Sequence, residues 1–441
     1  MYVSTVDSGN LSGHLLAVAQ ACLALVNAPH DPAAAHGALA ASRQRLAPLI
    51  LRVPELFAQP AISHSPLAAL MALPDPLDEA LRNASGFERL LREATDDLAA
   101  LLPDTAELAW LLGDHIATLQ SALRDQQARL ATAETVQRLQ AVAQDFEQLA
   151  WSADFGFLYH RKRHLFHIGY RVAEQQLDAG FYDLLASESR LTSLLAIAKG
   201  DVPVRHWASL GRPFYAVGTQ AGLRSWSGSM FEYLMPSLVL DEPHGSVLRD
   251  AGHAAVREQI AFARAHKVPW GISESAYAGR DHTLAYQYAP QGVPRLALRR
   301  TPPDELVIAP YATALAAQIA PHRAAENFAA MQTLAARARY GFIEALDFSP
   351  ARLAGGEAYA GVGTFMAHHQ GMSIVSLANV LRGGCAQRWG MANAHIEAVS
   401  SLLHERAPRE VSMLYAPLPG PPTLALQRRG PALLREVLPG A

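Results

Sequence analysis

The chain has 441 residues, 37 Lys and Arg against 40 Asp and Glu, and a formal net charge of −3, which gives no support to a nucleic-acid or other polyanionic partner. Half of the residues are apolar and 17% are charged, enough material for a large core. Cys22 and Cys385 match no metal-ligand spacing and fit a reducing compartment; Met1–Asn10 lacks the basic start and apolar centre of a signal peptide, and no run of eighteen apolar residues occurs, so the chain reads as soluble with no membrane contact of its own.

In chain order the predicted elements are overwhelmingly helical. Leu11–Asn27 is rich in Ala and Leu and follows Asp7-Ser8-Gly9-Asn10, which carries N-cap chemistry. Pro32–Leu56 and Asp78–Leu102 have apolar residues at three-to-four spacing, and Thr105–Trp151 is a longer helical stretch that bends or breaks once. The basic run His160-Arg161-Lys162-Arg163-His164 reads as a solvated turn between two aromatic segments. Further helices are expected at Phe181–Ala198, Gly245–His266, Pro310–Ile319, Pro321–Tyr340, Thr364–Leu381 and Ala392–Leu403. Gly, Pro and aromatic residues collect in the connections of residues 200–310. That layout suits a toroid of paired helices with a functional rim of loops. Residues 1–415 are expected to form one domain, with 30–150 as an additional helical region, and 416–441 to be a linker or tail.

Two acids stand out. On a helix through Phe181–Ala198, Glu188 falls in line with Leu184, Leu185, Leu191 and Leu195. A glutamate on an apolar stripe has a raised pKa, which suits a general acid; the competing reading is an acid held by Arg190 or another arginine. Glu274 lies in Val268-Pro-Trp-Gly-Ile-Ser-Glu-Ser-Ala-Tyr277, flanked by Ser273 and Ser275 and set between Trp270 and Tyr277. Rings beside a carboxylate are what a carbohydrate site needs, and a hydrogen-bonded, ionised Glu274 suits a nucleophile or base; the alternative is an ordinary loop acid. A serine nucleophile elbow is discounted, because Ser275 stands where the second glycine is required.

Glu232, in Trp226-Ser-Gly-Ser-Met-Phe-Glu-Tyr-Leu-Met-Pro236, and Glu344, in Tyr340-Gly-Phe-Ile-Glu, could bind sugar hydroxyls or equally cap a helix or pair with an arginine. His368 and His369 are neighbours that diverge by about 100° on a helix, so they cannot readily share one metal ion. Hydrogen bonding to substrate and a buried structural role remain open for them. No metal or organic cofactor is indicated, and no Gly-rich phosphate loop occurs. The expected sugar-binding set is Trp226, Glu232, Trp270, Tyr277, Arg280, Tyr311, Glu344, His368 and His369.

Five segments in order carry a resemblance: Phe181–Leu191, Gly200–Trp207, Trp226–Pro236, Val268–Tyr277 and Met366-Ala-His-His-Gln-Gly-Met-Ser373. Together with Val3-Ser-Thr-Val-Asp-Ser-Gly-Asn-Leu11, they resemble the glycoamylase-like domain of cyclic β-1,2-glucan synthases, densely over 154–410 and more thinly over 30–150. The resemblance implies an all-α (α/α)6 barrel with a sugar groove at one face. It implies ring closure of linear β-1,2-glucan by anomer-retaining transglycosylation, with Glu274 as nucleophile and Glu188 as acid/base, its proton moving directly or through a substrate hydroxyl or a water. It further implies a place in a larger membrane-bound synthase, on the cytoplasmic side of the bacterial inner membrane. The chain opens inside one motif and carries no glycosyltransferase, transmembrane or phosphorylase region, which reads as an excised domain or a shortened relative. Ala278-Gly279-Arg280 departs from the Asn-Ala-Arg expected after the tyrosine, a change local to the groove. An endo-β-1,2-glucanase and a non-catalytic glucan-binding module are the alternatives.

Overall fold

Apolar residues spaced three to four apart become helices through most of the chain. The computed structural model describes residues 1–28, 32–50, 77–98, 103–127, 133–217, 220–302 and 304–407. They fall into two compact units, one of Ala24–Leu139 and one of Met1–Leu23 with Gln140 onward. The predicted tail 416–441 lies outside the described residues, as do the C-terminal ends of the predicted helices Pro32–Leu56 and Asp78–Leu102.

Helix α1 spans Thr5–Asn27. In the smaller unit α2 (Pro32–Ile50) and α3 (Leu77–Leu98) both pack on α4 (Pro103–Gln127). Their core includes Leu39, Leu46, Phe87, Leu108, Leu112 and Leu119, with one polar contact inside it, Ser42 Oγ to His115 Nδ1 at 2.8 Å. The predicted Thr105–Trp151 stretch is two helices, α4 and α5 (Ala133–Ser152).

The larger unit carries α6 (Arg190–Lys199), α7 (Arg205–Ser209), α8 (Met230–Leu234), α9 (Val247–His266), α10 (Pro310–Ala317), α11 (Pro321–Thr333), α12 (Ala367–Leu381), α13 (Cys385–Met391) and α14 (Ala394–Val399). Helix α10 packs on α11 and α12, α8 on α9 and α10, and α14 on α6. Short antiparallel strand pairs fill the connections, among them Ser275–Arg280 with Tyr286–Ala289 and Tyr159–His160 with Leu165–His167. The second hairpin places the basic run 160–164 in its turn, as its composition predicted.

Three of the helix boundaries that differ from the sequence reading do so for clear local reasons. Helix α1 starts at Thr5, where Ser4 Oγ accepts the Asp7 N–H at 3.1 Å, so Ser4 supplies the cap instead of Asp7–Asn10. Helix α11 stops at Thr333, and Arg337–Ala338 turns back on Gly341–Phe342 as a hairpin. Most consequential, Phe181–Ala198 is not one helix. Phe181–Tyr182 pairs as a strand with Phe166 and His167, and the Asp183 and Leu185 backbones bond to Gly211 at 2.6 and 2.9 Å. Ser187 and Ser189 then bond each other at 3.0 Å, offering the backbone an alternative to a helical ladder. Glu188 therefore sits in a turn before α6 and not on a helical apolar stripe.

By length and composition α1 is long and apolar enough to cross a membrane. Its N-terminal half is packed as a core helix: Thr192 Oγ1 donates to Thr5 O at 2.9 Å, and a Cβ on Gly9 would lie 1.9 Å from Thr192 Oγ1. Only glycine permits that approach of α1 to α6.

Arg190, 1% exposed, opens α6 and ties the core beneath the turn. Its Nε donates to Glu242 Oε1 at 2.9 Å, its Nη1 to Ser187 O and Glu232 O at 3.0 and 2.7 Å, and its Nη2 to Tyr233 O at 2.6 Å. Ser237 Oγ donates to the other Glu242 oxygen at 3.0 Å. Removing one member of such a pair strands a buried charge. Glu242→Ala is expected to destabilise the larger unit by roughly 3–5 kcal/mol, read as a lowered transition in scanning calorimetry. An unchanged transition would show that the pair holds nothing together.

Candidate active site

Glu274 is placed by groups from four helices, three of them side chains. Gln259 of α9 bonds both backbone groups of Ile272, its Nε2 to the carbonyl at 2.7 Å and its Oε1 from the N–H at 2.8 Å. Asn327 of α11 does the same for Trp270, at 3.1 and 2.7 Å. Ser273 Oγ accepts the Phe231 N–H of α8 at 3.0 Å, and Tyr311 of α10 donates its hydroxyl to Glu274 O at 2.7 Å. Gly271 between them has φ +131°, with Ala309 O 3.1 Å from where a Cβ would stand, so a side chain there is excluded. An irregular segment is thus held as firmly as a helix. Glu274 itself stays half-buried at the start of the Ser275–Arg280 strand.

Glu188 reaches the same place from the turn before α6, half-buried, with Ser187 Oγ donating to Oε2 at 3.1 Å. Burial, then the charge of Glu232, push its carboxyl up to about 8, with a further contribution from Glu274. Arg190 does not neutralise it, being committed to Glu242 and to carbonyls. The raised pKa expected from sequence is present, but its cause is burial in a turn, reinforced by the charges of neighbouring acids, and not a helical stripe. Burial also raises Glu274, opposed by a hydrogen bond from Tyr288 and by the charge of Arg299. The two carboxyls therefore share one electrostatic neighbourhood and differ in support: Glu188 has its own backbone N–H and the Ser187 hydroxyl, and Glu274 a phenol and a cation.

Glu232 belongs to this cluster in another way. It is 6% exposed, and its carboxylate accepts from Ser225 Oγ, Ser227 N, Ser227 Oγ, Ser229 N and Ser229 Oγ at 2.6–3.1 Å. Ser229 and Glu232 form the capping box of α8. With its acceptor capacity filled from within, Glu232 is a fixed negative charge beside Glu188 and not a free ligand for sugar.

The remaining predicted residues separate into two groups. Tyr311, Glu344, His369 and His368 gather behind and beside Glu274. The Tyr311 ring stacks on His369 at 3.7 Å and 9°, His369 Nδ1 lies 2.8 and 3.0 Å from the Glu344 oxygens, and Glu344 Oε1 accepts the Ala276 N–H at 3.1 Å. His369 is 1% exposed, whereas His368 faces outward beside it. Among the described residues no group of three metal-binding side chains occurs. Trp226 is 59% exposed next to the Glu232 serines, an open ring for a sugar face. Trp270 is not: it is 7% exposed and packed in the main core. Tyr277 lies under the Arg352 guanidinium at 4.6 Å, and Arg280 covers Tyr286 at 4.0 Å and donates to Leu284 O, closing the hairpin. Trp270, Tyr277 and Arg280 thus have structural partners where sugar contacts were expected. An aromatic beside an acid in sequence looks alike in both cases, because the strand that follows Glu274 sends alternate side chains to opposite faces.

Two residues were missed. Tyr288, in Tyr286–Ala289, pairs across the hairpin with Ala276 and so returns to Glu274. The alternation Tyr286-Gln-Tyr288 was the available signal. Asp7, exposed in the first turn of α1, adds its charge to Glu274, Tyr182, Tyr288 and His368. It lies within the opening motif Val3–Leu11, which was read for its resemblance and for capping, not for a charge near the acids.

Comparison with known proteins matches residues 180–394 to the glycoamylase family ("Putative glucoamylase"). Over 433 residues, 94% of this chain, the sequence is 40% identical to the cyclic beta-(1,2)-glucan synthase NdvB of Rhizobium meliloti (strain 1021). The chain spans about 15% of that protein's length. Among solved structures it is similar to the endo-beta-1,2-glucanase of Talaromyces funiculosus in complex with sophorose, at 14% identity and a TM-score of 0.45, covering 91% of this chain and 80% of that one. A mutant of the same glucanase with beta-1,2-glucan gives 13% identity and a TM-score of 0.45, covering 95% and 84%. The mostly helical structure and the family match agree with the glycoamylase-like class that the motifs implied. Residues 180–394 are thus similar to the glycoamylase family, and over nearly its whole length the chain is similar to one segment of a cyclic β-(1,2)-glucan synthase.

Proposed function

We propose that this chain is an anomer-retaining transglycosylase that closes linear β-1,2-glucan into rings, with Glu274 as nucleophile and Glu188 as acid/base. The observation that carries this reading is the meeting of two half-buried carboxyls from segments 86 positions apart, one pushed up to about 8 by burial and Glu232, the other raised by burial but opposed by Tyr288 and Arg299. Unlike environments on a pair of carboxyls are what divides acid from nucleophile in glycoside chemistry. The similarity to a cyclic β-(1,2)-glucan synthase supports the substrate and the ring-closing outcome.

The steps follow. Glu274 attacks an anomeric carbon within the bound glucan, the bond to the glycosidic oxygen breaks, and the Glu188 proton goes to that oxygen, directly or through one hydroxyl. A glycosyl ester and an ionised Glu188 remain. The 2-hydroxyl of the chain's own non-reducing end then attacks the anomeric carbon, the bond from that carbon to Glu274 breaks, Glu188 regains its proton, and Glu274 leaves as a carboxylate. Two inversions give retention. Trp226, exposed beside the cluster, is the ring on which a glucose face would rest.

Incubation with linear β-1,2-glucan and mass spectrometry of the products tests the reading. Rings lighter by one water than linear chains are expected. Glu188→Gln and Glu274→Gln should each lose at least about a hundredfold in rate. Shorter linear products alone would make the chain an endo-glucanase, and untouched glucan with measurable binding would make it a binding module.

The pH dependence has a worked sign. Activity needs Glu274 ionised and Glu188 protonated, so kcat/KM should fall above about 8 as Glu188 ionises and fall at acid pH as Glu274 takes up a proton, its limb displaced above the ordinary carboxylate value. Stability follows the same group. Between the ordinary glutamate value and about 8 the folded state holds the Glu188 proton and the unfolded state does not, so stability falls as pH rises through that window. Glu188→Gln removes this term. Its unfolding temperature should exceed that of the native protein at pH 7, with the gain absent below pH 4; an equal or lower temperature at pH 7 would contradict a buried acid under electrostatic strain.

A further inference from the structure

Tyr288 has one hydroxyl proton and two acceptors for it. One is the Glu274 carboxylate, brought alongside by the pairing of Tyr288 with Ala276 and electrostatically coupled to the phenol. The other is His369 Nε2, 3.4 Å from the phenol oxygen. His369 cannot turn away: its Nδ1 is held by both Glu344 oxygens at 2.8 and 3.0 Å, and its face is covered by Tyr311 at 3.7 Å. Both of Glu344's partners, His369 Nδ1 and the Ala276 N–H, can serve as donors, so Nδ1 carries hydrogen and a neutral ring leaves Nε2 with its lone pair toward Tyr288. Tyr311 meanwhile donates to the Glu274 backbone oxygen at 2.7 Å. The line Glu344, His369, Tyr288, Glu274 thus runs from a buried, fully bonded acid to the proposed nucleophile.

We infer that Tyr288 is a positioning residue for Glu274 whose hydroxyl works as a two-position switch, donating to Glu274 while it is a carboxylate and to His369 Nε2 while it is a glycosyl ester. The inference rests on the proposed role of Glu274. An anionic oxygen is the stronger acceptor, so the proton faces Glu274 in the free enzyme. Esterification removes that charge, and Nε2 becomes the better partner. When the acceptor hydroxyl displaces Glu274, negative charge returns to the carboxylate and the phenol turns back to meet it. The donor is therefore matched to the breakdown of the ester, where a preformed hydrogen bond to developing charge has its largest effect. Glu344 and Tyr311 keep the alternative acceptor in place, so the phenol is bonded in both states. No net proton is gained or lost in the exchange.

Beyond Glu274, the titratable groups facing the Tyr288 hydroxyl are His369 and His368 of α12, Glu344, Tyr311 of α10 and Asp7 of α1. The test therefore reads Glu274 directly as well as turnover. In full-length Tyr288→Phe, kcat on linear β-1,2-glucan is expected to fall about a hundredfold and KM to fall with it, as slowed breakdown of a covalent intermediate requires. Intact-mass spectrometry of acid-quenched samples should show covalent glycosyl-enzyme accumulating, because its breakdown is slowed. In 13C-glutamate NMR, with the resonance assigned by Glu274→Gln, the Glu274 carboxyl should titrate at higher pH than in the native protein. His369→Asn keeps a donor for Glu344 and deletes the second acceptor. It should slow ester formation without accumulating the ester and leave the Glu274 titration near the native one. A native Glu274 titration in Tyr288→Phe, or a loss confined to KM, would overturn the switch and leave Tyr288 a sugar platform. Native enzyme that leaves β-1,2-glucan untouched would overturn the proposed function and the kinetic half of this inference, while the titration would still decide whether Tyr288 serves Glu274.

Discussion

The buried guanidinium of Arg190 is the contact on which the acid turn depends. A charge that is 1% exposed must have its donors satisfied, and four of its acceptors lie in three separate segments: Ser187, Glu232 with Tyr233, and Glu242. Satisfying one cation therefore fixes the distance between the Glu188 turn and helix α8. The same bonds take up the α8 carbonyls of Glu232 and Tyr233, which a five-residue helix cannot pair internally. A well-packed apolar group could replace such a pair with little loss of stability. It could not set three backbone segments in register, and register is what the site requires.

That register has an electrostatic consequence. Helix α8 brings Glu232 to the cluster, bound by five serine-derived donors, and its charge stands second only to burial in raising Glu188. A capping box ordinarily contributes to helix stability alone. Here the capping carboxylate also supplies the field that keeps a neighbouring carboxyl protonated. Glu274 feels the same field but has Tyr288 and Arg299 to oppose it. One fixed charge and two unequal sets of partners are enough to divide a pair of like residues into acid and base.

The acids themselves were legible in the sequence because their segments combine carboxylates, serines and aromatics in a pattern that core packing does not demand. The reason given for Glu188 was nevertheless wrong. A 3.6-residue period through Phe181–Ala198 fits a helix, yet the Gly211 backbone bonds at Asp183 and Leu185 and the Ser187–Ser189 contact end that helix at Arg190. Periodicity cannot see a partner segment twenty residues away. Tyr288 was hidden for a related cause: its closeness to Glu274 is made by hairpin register, which depends on pairing Tyr288 with Ala276. Asp7 lies 267 positions from Glu274 and comes near only because Gly9 lets α1 approach α6. Trp270 and Trp226 show the converse, two tryptophans beside site acids of which one is 7% exposed and the other 59%. Local composition finds the chemistry, and burial decides which rings can serve it.

The division of labour between acid pair and rim also bears on the choice between ring closure and hydrolysis. A glycosyl ester on Glu274 is open to any nucleophile that Glu188 can deprotonate, so the two acids do not discriminate a sugar hydroxyl from water. Discrimination must come from whatever occupies the acceptor side, by holding the hydroxyl close and keeping water out. On the proposed reading, the residues placed to do so are those at the exposed edge, Trp226 and His368. Neither takes part in the double inversion, and each could change without disturbing the Arg190 clamp beneath. A fold arranged in this way can keep its retaining chemistry while its rim sets the balance between transfer and hydrolysis, which is why the partition between the two outcomes belongs to the loops and the stereochemistry to the core.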